Sequence, residues 1–266
     1  MMFLKLLDFE MKRIWKLFAC LTVLLLIVQP IAAAVRSLQY LNRWNEASRN
    51  GDFIEQVALG RVTQNVFFYF PFVLIILGLL IYTFLIWYRD WYGKNNVAYT
   101  LLMLPGNRMN LFFAKVVSII VYFLCAVVIQ MAMYFIVNPI FKWIIPVSGR
   151  LDGTLRSWIG NDPLFYIIVP VNVTNFLFLY ILGISLLLVI FTGILLERSY
   201  GMKGIILTAL YVLIAFGFII LPFVIHSMVI TLYPAEMKII YAISVIVIIV
   251  SAIAISTRLI NKKVTV

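Results

Sequence analysis

The sequence predicts an all-α integral membrane protein with six transmembrane helices. Of its 266 residues, 65% are hydrophobic and 12% are charged, and the mean hydropathy is +1.09. A soluble domain carries about a quarter charged residues, so this chain has too few to cover a surface exposed to water. A bilayer core requires about 20 consecutive apolar residues per helix, and six segments meet that length. The chain shows no internal repeat, and we interpret residues 1–266 as one domain.

The fourth apolar run is too long for one straight crossing. It extends from Leu164 to Leu196, with Pro163 directly before it and with Pro170, Asn172 and Asn175 in its first part. Lipid cannot satisfy the backbone groups that a proline frees, so residues 164–171 are predicted to form a separate interfacial or re-entrant piece. The predicted spans are residues 17–35, 66–88, 111–137, 173–196, 204–225 and 239–256.

The distribution of basic residues predicts that both termini face the cytoplasm. Six spans place both termini on one side, together with residues 89–115 and 197–203. That side carries 13 of the 21 Lys and Arg and 4 of the 10 acids, a net charge of +9. The other side carries 8 Lys and Arg and 6 acids, a net charge of +2. Lys and Arg concentrate in cytoplasmic loops. Because the charge is spread over small groups, it does not indicate nucleic-acid binding.

Residues 1–16 are predicted to form an amphipathic helix at the cytoplasmic membrane interface. At 100° per residue, Lys5, Lys12 and Lys16 share one face, and apolar side chains share the opposite face. The three lysines would contact anionic lipid headgroups. Residues 32–34 (Ala-Ala-Ala) offer an alternative, since small residues after an apolar run resemble a signal-peptide cleavage site. The amphipathic pattern favours a retained helix.

The spans carry none of the residue patterns of intramembrane catalysis or ion coupling. No His-Glu-x-x-His, Gly-x-Ser-x-Gly or P-loop pattern occurs, so no catalytic, cofactor-binding or metal-binding residue is assigned. Lys115 lies near the cytoplasmic end of the third span and is expected to extend to the surface. With Lys115 at the surface, the interiors of the spans would contain no charged residue. Buried charges usually mark ion pathways, so no such pathway is indicated. Cys20 and Cys125 fall in apolar runs and are expected to be buried.

The polar loop of residues 89–110 is the most informative segment for function. Gly93 interrupts the chain after the second span, and Pro105 can end a short helix that starts near residue 97. Tyr99, Leu102 and Met103 are spaced to share one face of that helix. Two interpretations remain open on chemistry alone. The helix either inserts its leucines into lipid or docks into a groove on a cytoplasmic partner.

This loop and the start of the third span contain, in order, Arg89-Asp90, Gly93, Leu101-Leu102, Leu104-Pro105, Asn107-Arg108 and Ala114-Lys115. The order is a charged, acid-containing cluster after span two, a glycine, a leucine-rich short helix, Leu-Pro, a polar-Arg step and a small-Lys pair. It resembles the pattern of the first cytoplasmic loop in the membrane subunits of type-2 ABC exporters. Asp90 and Ala114 depart from the pattern, where Glu and Gly are more usual. The six-span layout extends the resemblance to the whole chain.

The resemblance implies a coupling helix at residues 97–104 that docks on a separate ATP-binding subunit. ATP and Mg²⁺ would bind to that subunit, which would be present in two copies. Residues 1–16 would be the elbow helix of the family. The implied docking residues are Arg89, Asp90, Gly93, Tyr99, Leu101, Leu102, Met103, Leu104, Pro105, Arg108 and Lys115, with a second cytoplasmic contact at Glu197, Arg198 and Lys203.

The resemblance also implies a second permease subunit, either an identical copy or a sister protein. Transport across a bacterial cell membrane is then the expected function. The apolar spans fit a hydrophobic or amphipathic substrate, such as a peptide or antimicrobial, a drug or a lipid. One alternative is a membrane anchor or sensor that recruits a cytoplasmic partner without transport. An ion-coupled secondary transporter is a further alternative, disfavoured by the expected lack of buried charge.

Overall fold

The computed structural model describes residues 2–51, 56–92, 107–160, 162–170, 172–229 and 233–262. These residues form nine α-helices, a pair of two-residue strands, a 3-10 turn at Val147–Gly149 and a π-helical turn at Ile225–Val229. The helices are α1 (Met2–Asn50), α2 (Leu59–Thr63), α3 (Val66–Tyr92), α4 (Met109–Ile144), α5 (Leu155–Gly160), α6 (Pro163–Ile168), α7 (Val173–Tyr200), α8 (Met202–Val224) and α9 (Pro234–Lys262). The strands are β1 (Val57–Ala58) and β2 (Arg150–Leu151).

Six of the described helices are long and apolar enough to cross a membrane, which confirms the prediction of an all-α multi-pass protein. They are α1, α3, α4, α7, α8 and α9. The break before the fourth span is also confirmed, because α6 is separate from α7 and α7 starts at Val173. Asp162 caps α6, and Pro163 occupies its first turn, where a missing N–H costs no helical hydrogen bond.

Helix α1 is longer than the span predicted within it. It continues from Met2 to Asn50, so no break separates residues 1–16 from the first span, and the predicted elbow is not seen as a separate helix. Lys5, Lys12 and Lys16 are exposed. The buried face carries Leu6, Glu10, Ile14 and Phe18, four residues at a spacing of four. Glu10 was not expected on that face.

The chain divides into two compact units. The first contains Met1–Glu10, Leu80–Ile120 and Leu177–Val266. The second contains Met11–Leu79 and Val121–Phe176.

In the first unit, hydroxyl side chains bond to neighbouring helices within the apolar interior. The Thr192 hydroxyl lies 3.0 Å from that of Ser256, which joins α7 to α9. The Thr208 hydroxyl donates to the Gly193 carbonyl at 2.8 Å, which joins α8 to α7. Polar bonds between helices hold membrane bundles together where lipid offers no partner. They explain the scattered polar residues of these spans.

In the second unit, residues 36–65 and 138–163 fold together, two stretches that the predicted spans place on the side opposite the termini. Strands β1 and β2 pair in parallel, with Val57 opposite Arg150. The Gln56 amide donates to the Ser148 carbonyl at 3.2 Å, and the Trp44 indole packs against Gly149. These contacts, together with α2, α5 and α6, make one small folded cap.

Both cysteines are exposed, so the prediction that they are buried is wrong. Cys20 lies on α1 and Cys125 on α4, within segments that also expose large apolar side chains. Exposed apolar residues on a span are expected to face lipid. The sequence alone could not distinguish an apolar position that faces lipid from one that faces another helix.

The first turn of α8 lies so close to the end of α7 that position 204 requires glycine, which gives a first testable prediction. A Cβ atom on Gly204 would lie 2.3 Å from the Leu196 carbonyl oxygen and 2.7 Å from the Glu197 Cα, both backbone atoms. We expect Gly204→Ala to lower the free energy of unfolding by about 1–3 kcal/mol through overpacking. A Cβ atom on Gly217, in the same helix, would meet nothing within 4 Å.

The matched control for this prediction is Gly217→Ala. Alanine is favoured over glycine within a helix by about 0.5–1 kcal/mol, so this variant should be neutral or slightly stabilised. Unfolding of the two purified variants in detergent would measure the difference. Equal stability of the two variants would contradict the close approach of α7 and α8.

Candidate functional site

The structure describes part of the docking site that the sequence predicted. Gly93, Tyr99 and the Leu101–Pro105 stretch (Leu101, Leu102, Met103, Leu104 and Pro105) lie outside the described residues. The described members on the two flanks of that segment are Arg89 and Asp90 at the end of α3, and Arg108 and Lys115 at the start of α4. Glu197 and Arg198 end α7, and Lys203 starts α8. All of these belong to the first unit.

Lys115 is fully buried, so the prediction that it extends to the membrane surface is wrong. Its ammonium donates to Glu10 Oε1 at 2.7 Å, to Asp90 Oδ2 at 2.5 Å and to the Ile86 carbonyl at 3.4 Å. The side chains of Lys115 and Glu10 are 0% exposed, and that of Asp90 is 3% exposed. The three N–H groups of the ammonium thus have three acceptors. Its hydrogen-bonding capacity is satisfied inside the protein, so the side chain does not need water or headgroups at the surface.

This ion cluster of Glu10, Asp90 and Lys115 joins three helices. Glu10 lies on α1, Asp90 on the last turns of α3 and Lys115 on the second turn of α4. Apolar packing of Leu6 against Leu111 and Ala114 accompanies it. The desolvation of buried ions is costly, and their mutual attraction offsets that cost only when the geometry is good. Such a cluster is therefore better suited to fix a specific helix arrangement than to add stability.

Aromatic rings form one wall of the ion cluster. The Lys115 ammonium lies 5.2 Å from the centroid of the Trp87 ring, within the range of a cation–π contact. Trp87 stacks on Trp91 with centroids 5.4 Å apart, and meets Phe191 edge to face at 5.7 Å. Phe112 and Phe191 are fully buried. These rings exclude water from the ions, which strengthens the ionic contacts inside the cluster.

The remaining flank residues, Arg89 and Arg108, also form hydrogen bonds within the first unit. The Arg89 guanidinium donates to the Tyr82 hydroxyl at 2.8 Å and lies over the same ring at 5.3 Å. On the other flank, Arg108 donates to the Ile260 carbonyl near the end of α9 at 3.4 Å. Arg89 is therefore held against its own helix, whereas Arg108 joins the start of α4 to α9.

The second predicted contact lies beside the end of α3. The Tyr88 hydroxyl donates a hydrogen bond to the Glu197 carboxylate. The Arg198 guanidinium lies 5.2 Å from the ring centroids of both Tyr88 and Trp91. The structure thus brings Glu197 and Arg198 to the helix end from which the undescribed segment departs. Lys203 is exposed, and no contact of its side chain enters this group.

The second unit contains a buried carboxylate that sequence reasoning missed. Asp162 is 0% exposed. Its Oδ1 accepts from the Tyr69 hydroxyl at 2.8 Å and the Phe165 N–H at 3.3 Å, and its Oδ2 accepts from the Tyr134 hydroxyl at 2.7 Å. The Thr63 hydroxyl lies 3.4 Å from Oδ2 but is closer to the Gly60 carbonyl, at 3.0 Å. Three donors therefore hold this anion and tie α3, α4 and α6 together, with α2 beside them. The sequence signal for it was an acid directly before a proline that starts a helix.

The bonds described for these groups hold helices and helix ends in position. Among the described residues, no three His, Cys, Asp or Glu side chains are arranged to hold a metal ion. Glu10 and Asp90 bond to an ammonium, and Asp162 bonds to hydroxyl and amide donors. The ion cluster and the Tyr88–Glu197 bond instead anchor the helix ends from which the segment of residues 93–106 emerges.

Comparison of the chain with protein-family models, with curated proteins and with solved structures finds no match in any of the three.

Proposed function

We propose that this chain is the permease subunit of an ATP-driven exporter of the type-2 ABC kind. The contact between Asp90 and Lys115 is the observation that best supports the proposal. Both residues belong to the motif that carries the resemblance, and they are 25 positions apart. Their bond ties together the two helices that flank residues 93–106. A segment that transmits force from a partner needs firmly held ends, because otherwise its motion would be lost in the flanks.

The proposed docking surface is the helix at residues 97–104, with Tyr99, Leu102 and Met103 as anchors. They would fill a groove on the ATP-binding subunit, in the manner of an amphipathic helix bound to a partner. Glu197, Arg198 and Lys203 would form the second contact. Residues 1–16 would act as the elbow helix at the membrane surface. Two ATP-binding subunits, which bind ATP and Mg²⁺, would drive a pair of permease subunits.

The substrate that fits best is hydrophobic or amphipathic, such as a peptide or antimicrobial, a drug or a lipid. All six candidate spans are strongly apolar, and several polar side chains described within them are bonded to another helix. A strongly polar substrate would find few hydrogen-bonding partners along such helices. The proposed location is the bacterial cell membrane, with both termini in the cytoplasm.

The orientation gives a second testable prediction. In a variant without native cysteines, Asn261→Cys at the end of α9 should react only after the membrane is permeabilised. Asn50→Cys at the end of α1 should react with a membrane-impermeant maleimide in intact cells. This result is expected because the side with the larger Lys and Arg count faces the cytoplasm. Removal of Cys20 and Cys125 is necessary, since both are exposed. Labelling of the Asn261→Cys variant in intact cells would contradict the predicted orientation.

Co-purification tests the proposed function. The tagged chain is purified in mild detergent together with the products of its neighbouring genes, and the complex is tested for ATP hydrolysis. An ATP-binding protein in the complex, with an ATPase rate that changes when the candidate substrate is added, is the expected result. A histidine kinase or protease as the partner would instead indicate the anchor or sensor function.

The buried charges of the structure remove the sequence argument against an ion-coupled transporter. The sequence argument relied on spans without buried charge, and Glu10, Asp90, Lys115 and Asp162 are buried. Each of these charges is nevertheless bonded to fixed groups of the protein. Reconstituted vesicles separate the two mechanisms. Transport by the ATP-driven complex should continue when ionophores remove all ion gradients, whereas ion-coupled transport should stop.

A further inference from the structure

Two lysines and a tryptophan lie close together on the exposed face of α1, at the start of the first predicted span. Lys12 and Lys16 are exposed, and the Trp15 side chain is 60% exposed. Residues three and four positions apart on a helix have Cβ atoms about 5–6 Å from each other, so the three side chains are neighbours. Lys16 is the last charged residue before an apolar stretch that runs to Val35. This group, the Lys12–Trp15–Lys16 cluster, therefore lies at the boundary between the membrane and water.

Exposed apolar side chains of the span lie on the same face of α1 as the two lysines. Lys12, Lys16, Val23 and Ile27 are spaced by four, seven and four residues, and such steps return to the same side of an α-helix. Val23 and Ile27 are 54% and 56% exposed. The buried side chains of this part of α1 lie on the opposite face and are Ile14, Phe18 and Leu25. The basic cluster is thus followed, on one continuous face, by a surface that faces lipid.

The cluster carries a net positive charge. Asp8 precedes Lys12 by four positions, the spacing of an ion pair on a helix, and can neutralise only one of the two lysines. Glu10, the other acid of this stretch, is buried and bonded to Lys115. An ammonium is a compact charge with three N–H donors on a flexible stem, and the Trp15 indole adds one N–H donor. The cluster thus has both the charge and the donors for an anionic headgroup.

The length of this face matches one leaflet of a bilayer. Lys16 and Ile27 are 11 positions apart, which corresponds to about 16 Å along a helix that rises about 1.5 Å per residue. A hydrocarbon core of about 30 Å contains two leaflets of about 15 Å each. A phospholipid whose headgroup lies at Lys16 would therefore extend its acyl chains past Val23 to Ile27.

We propose that the Lys12–Trp15–Lys16 cluster binds the phosphate of an anionic phospholipid, and that Val23 and Ile27 contact an acyl chain of the same molecule. The two ammonium groups would donate to the phosphate oxygens, and the Trp15 indole would lie at the headgroup level, where tryptophan is enriched in membrane proteins. The sequence predicted a separate helix on the membrane surface for residues 1–16. Because α1 instead runs without a break from Met2 to Asn50, the headgroup and acyl-chain contacts fall on one helix face and define a site for a single lipid. The inference does not depend on the proposed transport function.

Lipid titration by native mass spectrometry tests the proposal. The delipidated protein in detergent is titrated with dioleoylphosphatidylglycerol, and with dioleoylphosphatidylcholine for comparison. We expect Lys12→Gln with Lys16→Gln to weaken binding of the anionic lipid about 30-fold, which corresponds to about 1 kcal/mol for each lysine near an anionic headgroup. The matched control is Lys142→Gln with Lys238→Gln, which removes the same charge from exposed positions on α4 and α9. This control should change binding less than about twofold.

Four results would overturn the proposal. Wild-type affinity in the Lys12→Gln, Lys16→Gln variant would show that the cluster does not bind the lipid. An equal loss in the control variant would show that only diffuse surface charge is involved. Displacement of the lipid by equimolar inorganic phosphate would show a site for free anions. Equal affinity of the wild type for the two lipids would show that the negative charge is not recognised. If the double variant fails to insert into the membrane, Lys16→Gln alone decides and should lose about fivefold in affinity.

Discussion

Replacement of Lys115 by methionine is expected to lower the free energy of unfolding by about 3–5 kcal/mol, because it leaves Glu10 and Asp90 buried without their shared cation. The matched control is Lys142→Met, in the same helix. Lys142 pairs with Asp152 at 3.3 Å, and their side chains are 40% and 52% exposed. Exposed pairs contribute about 0–1 kcal/mol, so the control should be nearly neutral. Unfolding in detergent at matched protein concentration would measure both variants.

A triple variant separates the stability of the ion cluster from its role in positioning. Glu10→Leu, Asp90→Leu and Lys115→Met together remove all three charges and retain similar volume. Apolar replacement of a buried ion cluster is often neutral or stabilising by about 1–4 kcal/mol. We expect the triple variant to unfold like the wild type while Lys115→Met alone does not. Equal stability of Lys115→Met and Lys142→Met would contradict the buried cluster.

Replacement of Asp162 by leucine is expected to be the second most damaging change. The hydroxyls of Tyr134 and Tyr69 would lose their acceptor, and α6 would lose its cap. A buried donor without a partner costs about 1–3 kcal/mol, so a loss of roughly 2–5 kcal/mol is expected for the group. Asp162→Asn should cost less, because its amide oxygen still accepts hydrogen bonds.

Asp152→Leu is the matched control for Asp162. Both acids belong to the segment between α4 and α7, but the Asp152 side chain is 52% exposed and pairs with Lys142 and Arg150 on the surface. Its replacement should therefore change stability by less than about 1 kcal/mol. Unfolding of the two leucine variants under identical conditions tests the difference. An equal stability of Asp162→Leu and Asp152→Leu would contradict the buried, hydrogen-bonded state of the Asp162 carboxylate.

The sequence could predict the spans because the bilayer imposes a length and a composition on them. The separate α6 could also be predicted, since Pro163 and Pro170 interrupt a run that is too long for one crossing. The full extent of α1 could not be predicted from the sequence. Its continuation from Arg36 to Asn50 carries polar and charged residues, and hydropathy does not separate a polar helix from a loop. Contacts with the folded cap, such as that of Trp44 with Gly149, accompany this part of α1.

The ion cluster could not be predicted because its members are far apart in the sequence. Glu10 is 105 positions from Lys115, and Asp90 is 25 positions away. Each charge looked acceptable alone, since an acid fits an amphipathic helix and a lysine near a span end can reach the surface. Only tertiary packing decides which charges are buried together. Asp162 was missed for the same reason, because Tyr69 is 93 positions away and Tyr134 is 28.

The central claim is that residues 97–104 dock the chain on an ATP-binding partner. It is tested most directly by pull-down of that partner with Tyr99→Ala and Leu102→Ala combined. Truncation of an interface anchor costs about 2 kcal/mol or more, so the double variant should lose the partner while it inserts into the membrane normally. Thr100→Ala, in the same segment but outside the proposed docking face, is the control and should retain it.

The decisive quantity is the amount of ATP-binding protein recovered per permease in detergent. The docking account predicts a drop of at least tenfold in the double variant, since two anchors of about 2 kcal/mol each are removed. A helix that only dips into lipid predicts unchanged recovery of the partner with lower stability of the permease. Undiminished recovery together with wild-type transport in the double variant would contradict the account.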